Sequence, residues 1–247
     1  MGGISAVGVP RAGAVASIAA IAAVLVGAGQ PRALSLVPTG AGFAPAGGTI
    51  VGVATTKEVT RPAIRATIDP AVCGSSVPDE SVLIAGGGQL ANVVVSVPGV
   101  KASQPADVSF ANEKCRFVPR VGLMRPGGAV KMMSKDATLH TMHAAATDGR
   151  AFFNVSIPVQ NVTLSRPVDK TGLVTLSCST HTWMRGFVQV TEELSALSGA
   201  DGRYRLEGVP AGKYQLRVWH ETLKTDAPVT VVVKDGETVT VDLTLVK

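Results

Sequence analysis

The chain has 247 residues, of which 46% are hydrophobic and 4% aromatic, with 27 Gly and 15 Pro; that apolar content supports a buried core and excludes a chain disordered throughout. Its formal charge of +5 (23 basic, 18 acidic) includes Arg11 and Arg32 from a leader region without acids, so the remainder carries 21 against 18, or +3. No Lys/Arg cluster interleaved with aromatics stands out, so nucleic acid is not an expected partner.

Residues 12–29 form an uncharged, Ala-rich tract after Arg11, and Val26-Gly27-Ala28 suits a signal peptidase. A signal peptide over 1–29 is expected, and with it a periplasmic or extracellular location. The alternative is an uncleaved membrane anchor, which the Ala and Gly content makes only weakly hydrophobic. Residues 30–48, rich in Gly, Ala and Pro without periodicity, suit a flexible linker. Val-rich and Thr-rich runs at 50–54, 91–97, 108–110, 129–133, 152–157, 172–178 and 186–191, separated by Gly/Pro turns, predict short strands. Their number and spacing predict an all-β chain with a Greek-key β-sandwich over 49–192.

After Glu192 the pattern becomes compact hairpins. Asp201-Gly202 precedes a strand at 204–206, and Asp235-Gly236 is expected to join 229–233 to 238–246; both dipeptides are type I′ turn signals. Val239, Val241, Leu243 and Leu245 alternate with Thr238, Thr240, Asp242 and Thr244, as in a strand with one buried face. A second small β-domain is expected over 193–247. The run Asp201-Gly-Arg-Tyr-Arg-Leu206 followed by Gly208-Val-Pro-Ala-Gly-Lys-Tyr214 resembles the carboxypeptidase regulatory-like (transthyretin-like) β-sandwich. That resemblance implies a structural or interaction module, its first strand shared with 186–191.

Chemistry concentrates in Cys178-Ser-Thr-His181-Thr-Trp-Met184, which offers a thiolate, an imidazole and a thioether within seven residues. His140, expected just past a strand, can supply a second imidazole. Two nitrogens and a thiolate with a weak thioether make a type 1 (blue) copper donor set. Leu139-His-Thr-Met-His143 together with Cys178 to Val188 resembles the plastocyanin-like cupredoxins, amicyanins above all, which share the C-x-x-H-x-x-M spacing. The resemblance implies one copper ion held by His140, Cys178, His181 and Met184, and a one-electron carrier that meets redox partner proteins through an apolar rim around His181 and Trp183. Two positions depart from the family. Thr141 stands where an Asn usually ties the ligand loops together, and Leu176 stands where an aromatic is common.

Three cysteines allow at most one internal disulfide. Pairing Cys73 with Cys115 frees Cys178 for metal, whereas a bridge through Cys178 would abolish the site. His143 is a rival to His140 as ligand, and His220 is expected to be structural, with Glu221 as its partner. No Ser/His/Asp set, paired carboxylates or phosphate-binding Gly loop stands out, so no enzymatic activity is expected. A copper store, or an envelope module with a vestigial site, are the alternative functions.

Overall fold

The computed structural model describes residues 47–102 and 105–247. The expected signal peptide, with its anchor alternative, and all but the last two residues of the expected linker lie outside them. Apart from one four-residue helix, Pro70–Cys73, the secondary structure described is β. The strands build two sandwiches, each around its own core.

In the first sandwich, a five-stranded sheet runs in the order Ala151–Ile157, His140–Ala146, Gly172–Ser177, Arg185–Val190, Val121–Met124. It packs on a four-stranded sheet ordered Leu164–Val168, Gly128–Ser134, Val108–Asn112, Phe117–Val118. Gly128–Ser134 shows how the sequence dictates this: Gly128, Val130, Met132 and Ser134 are buried while the residues between are partly exposed, the two-residue period of a strand with one inward face. Phe110, Phe117, Met124, Met132, Met142, Ile157 and Leu176 fill the core, each worth roughly 1.5–3 kcal/mol relative to exposure. Leu176 therefore serves as a core residue.

The second sandwich is not confined to the end of the chain. Gly48–Thr56 lies between Arg203–Val209 and Leu243–Val246, with Thr238–Thr240 also paired to it. Val94–Lys101 lies between Glu193–Leu197 and Gly212–Trp219 in the facing sheet. Ile50, Ala54, Val93, Val95 and Val97 share one core with Tyr204, Leu206, Leu243 and Leu245. The expected division at residue 192 therefore differs from the structure, where the two sandwiches interleave along the chain. The shared strand differs too: Arg185–Val190 pairs with Gly172–Ser177 and Val121–Met124 in the first sandwich. Strands from before residue 102 complete the second one instead.

Neither Asp-Gly pair makes a type I′ turn, which needs positive φ at both central residues; only the glycines have it, Gly202 at φ 72 and Gly236 at φ 73. At the first, Gly202 N–H bonds Gly199 O and Gly199 N–H bonds Arg203 O, the pattern of a turn closed by a left-handed glycine. The second does not close a hairpin. Val229–Val233 pairs with Gly212–Trp219, while Thr238–Thr240 crosses to Gly48–Thr56. The expected final strand is also broken, where Val241 bonds Val51 O and Asp242 Oδ1 accepts Val53 N–H.

The sandwiches meet where Arg120 makes a two-pronged ion pair with Glu221 and Phe187 packs edge-on against Trp219 at 5.4 Å. Glu221 is thus the partner of Arg120 rather than of His220. His220 is buried and accepts the N–H groups of Thr222 and Leu223 at Nδ1, both at 3.3 Å. Burial, aided by the charge of Arg120, lowers its pKa to about 4, so it is neutral at pH 7.

Candidate metal centre

The site lies at one end of the first sandwich. His140 does not follow a strand but opens one, His140–Ala146, and is completely buried. Strand alternation turns His140 and Met142 inward and leaves Thr141 and His143 partly exposed; His143 belongs to none of the His/Cys/acid clusters among the described residues. Cys178 follows the neighbouring strand Gly172–Ser177, and the turn that continues from it is closed by Met184 N–H to His181 O at 2.9 Å. His181 and Met184 are both buried to within 1%.

These elements bring three electron-pair donors together. Cys178 Sγ is 4.0 Å from His140 Nδ1 and 3.8 Å from His181 Nδ1. Each ring's other nitrogen faces a carboxylate: His140 Nε2 is 2.9 Å from Asp136 Oδ2, and His181 Nε2 is 3.1 Å from Asp69 Oδ2. Because a carboxylate only accepts, Nε2 carries the proton in both rings. The Nδ1 atoms and the sulfur then point at one another and need a cation between them, either a shared proton or a metal ion.

Thr141 ties the stretch that carries His140 to the one that carries Cys178. Its hydroxyl accepts Ser179 N–H at 2.8 Å and donates to Cys178 Sγ at 3.7 Å, while its backbone N–H reaches the same sulfur at 3.4 Å. The two ligand loops are thereby tied. Burial pushes the Cys178 thiol up, but the facing His140 ring, the N–H groups of Thr141 and His181 and the facing His181 ring bring its pKa down to about 5. Cys178 is a thiolate at neutral pH.

A staple covers the imidazoles. Cys73 and Cys115 form a disulfide, Cα–Cα 5.1 Å, leaving Cys178 as the free cysteine. The bridge joins the short helix after Asp69 to a turn in which Lys114 and Cys115 both have positive φ. Both sulfurs lie within 4.8 Å of a His181 ring nitrogen. The bridged residues are 42 positions apart, so removing the cross-link by Cys73→Ala with Cys115→Ala is expected to cost about 4 kcal/mol by the chain-entropy relation. Denaturant titration of the double variant checks this; an unchanged midpoint would mean that the native contacts alone hold the segment.

His181 has no exposed edge, so the rim expected around His181 and Trp183 lacks its first member. Trp183 is only half-buried, its ring 5.3 Å from His181 and its Nε1–H bonded to Cys115 O at 3.1 Å. Asp69 and Asp136 belong to no motif in the sequence. Asp136 had a local signal, four residues before His140, whereas Asp69 lies 112 residues from His181.

Against known proteins, the two ends of the described chain compare differently. Residues 184–246 match the carboxypeptidase regulatory-like domain. The matched carboxypeptidase regulatory-like stretch contains Met184 and the strand Arg185–Val190 as well as most of the second sandwich. No curated protein matches the chain in sequence. In structure, 34% of the chain is similar to the whole of a purple cupredoxin from Nitrosopumilus maritimus, at 18% identity and a TM-score of 0.31. A further similarity covers 39% of the chain and 97% of amicyanin from Paracoccus versutus, at 17% identity and a TM-score of 0.31.

The donor set itself fits a soft transition metal. The Nδ1–Sγ separations of 3.8 and 4.0 Å are below the roughly 4.3 Å sum of ordinary metal–imidazole and metal–thiolate bonds, so one ion can reach both atoms of each pair. Two buried imidazoles and a thiolate are donors that both copper and zinc accept.

Proposed function

We propose that this is an exported type 1 copper protein that carries single electrons between redox partner proteins in the periplasm or outside the cell, without catalysing a reaction of its own. The observation that supports it most is the buried convergence of His140 Nδ1, His181 Nδ1 and the Cys178 thiolate, with Met184 buried in the same core. Copper bound there would supply a one-electron couple, Cu(II)/Cu(I). The protein's own part is to keep the donors fixed. Thr141 and the N–H of His181 hold Cys178 Sγ, the carboxylates hold the rings, and the core around Leu176 and Met142 keeps water out. Small rearrangement between oxidation states is what rapid electron exchange requires. Trp183, touching His181 and reaching the surface, is the aromatic group placed to meet a partner.

Adding Cu(II) to the metal-free protein tests the reading. An intense visible thiolate-to-copper band with narrow hyperfine splitting is expected; a colourless complex, or none, would overturn it. Replacing Met184 with Leu is expected to leave the copper and the band in place and to raise the reduction potential, because a thioether that modestly favours Cu(II) is exchanged for an apolar group. Protein-film voltammetry reads the shift. An unchanged potential would make Met184 a packing residue.

A further inference from the structure

We propose that Asp69 and Asp136 are positioning residues that aim both imidazoles at Cys178, and that the Cys73–Cys115 bridge mounts the two carboxylates on one frame. The inference rests on the copper reading for its purpose but on local geometry for its substance.

Asp136 is buried and receives three donors on two oxygens. Lys114 N–H bonds Oδ1 at 2.7 Å, and Cys115 N–H and His140 Nε2–H both bond Oδ2 at 2.9 Å. The two N–H groups come from consecutive residues in the left-handed region, φ 50 and 54, a conformation that costs energy in non-glycine residues and that forms a small anion-binding nest. The bent turn at Cys115 is thus held by the same carboxylate that fixes His140. On the other arm, Asp69 is itself left-handed, φ 50, and starts the helix that ends at Cys73. Its Oδ2 accepts from both the Thr138 hydroxyl and His181 Nε2–H. That pairing closes off the ring of His181, which has no solvent exposure.

With Nε2 engaged, neither ring can turn over without losing a charge-assisted hydrogen bond, so each Nδ1 stays on the sulfur side. Carboxylates behind metal-bound imidazoles also raise ligand basicity, and their loss typically lowers metal affinity by about 10–100-fold.

The test reads the metal-free and copper-loaded forms separately. By proton–nitrogen NMR, the metal-free wild type is expected to show slowly exchanging Nε2–H signals from His140 and His181. In Asp69→Ala the His181 signal should vanish and copper affinity fall about 10–100-fold; Asp69→Asn, whose amide oxygen can accept from both Thr138 and His181, should restore the signal and most of the affinity. Asp136→Ala should remove the His140 signal in the same way, since a methyl group cannot accept its Nε2–H. A wild type without these signals, or an Asp69→Ala protein that keeps both signal and affinity, overturns the proposal. If the NMR results follow expectation but the wild type never develops the visible band, the positioning role stands and the copper reading falls.

Discussion

Cys178→Ser is expected to remove the visible band of the copper-loaded protein altogether and to weaken copper binding far more than any other single ligand change. The sulfur is the only soft anionic donor in the cluster, and it makes five contacts that a shorter, harder hydroxyl cannot reproduce: with the N–H and O–H of Thr141, the N–H of His181 and the two facing imidazoles. A coordinating thiol is deprotonated by the metal, and here the fold has done much of that beforehand, since the pKa is about 5 against an ordinary 9.0. The same shift has a consequence in the metal-free protein. A group whose pKa is lower in the folded state than in the unfolded one stabilises the fold fully above the unfolded value and loses that contribution as pH falls through the folded one. Metal-free wild type should therefore lose stability relative to Cys178→Ser as pH drops from about 9 to about 5, measured by denaturant titration at a series of pH values. Parallel stability curves for the two proteins would show that the thiol is not ionised by its surroundings.

What the sequence reveals about this site follows from distance along the chain. Cys178, His181 and Met184 occupy one turn, so their spacing alone announces a common target, and His140 is added by a short motif next to a strand. The strand that His140 opens is hard to foresee, because in His-Thr-Met-His-Ala-Ala-Ala a single β-branched residue, Thr141, stands where its neighbours have several. It is held instead by pairing on both sides, with Ala151–Ile157 and Gly172–Ser177. The carboxylates were not legible because hydrogen-bond partners fixed by tertiary folding leave no periodic trace. Asp69 becomes meaningful only when the disulfide brings its helix to the end of the sandwich. Thr141 shows the converse case: it adjoins His140 in sequence, and its hydroxyl joins the two stretches by bonding Ser179 and Cys178.

The interleaving of the two sandwiches was hidden for a related reason, and it reverses what ligand positions suggest about truncation. All four proposed ligands precede residue 192, so from sequence alone the segment ahead of it looks self-sufficient. In the structure, a chain ending at residue 192 would leave Gly48–Thr56 and Val94–Lys101 without their neighbouring strands, all of which lie between residues 193 and 246; only the end of the first would keep backbone bonds, to Gly88 and Leu90. Ile50, Leu90, Val93, Val95 and Val97, now essentially buried, would face water. Unpaired apolar strands template association with other chains, and Val94–Lys101 lies within the stretch linking Cys73 to the strand Val108–Asn112, so it cannot simply fray from a terminus. The carboxyl-terminal strands thus shelter two strands that belong with them in space but precede residue 192 in sequence. Expression of residues 47–192 is expected to give aggregated protein, whereas co-expression with residues 193–247 as a separate chain should recover part of it in soluble form. Recovery of soluble, monomeric 47–192 with a native-like, sharp thermal transition would show that the first sandwich tolerates both strands unpaired.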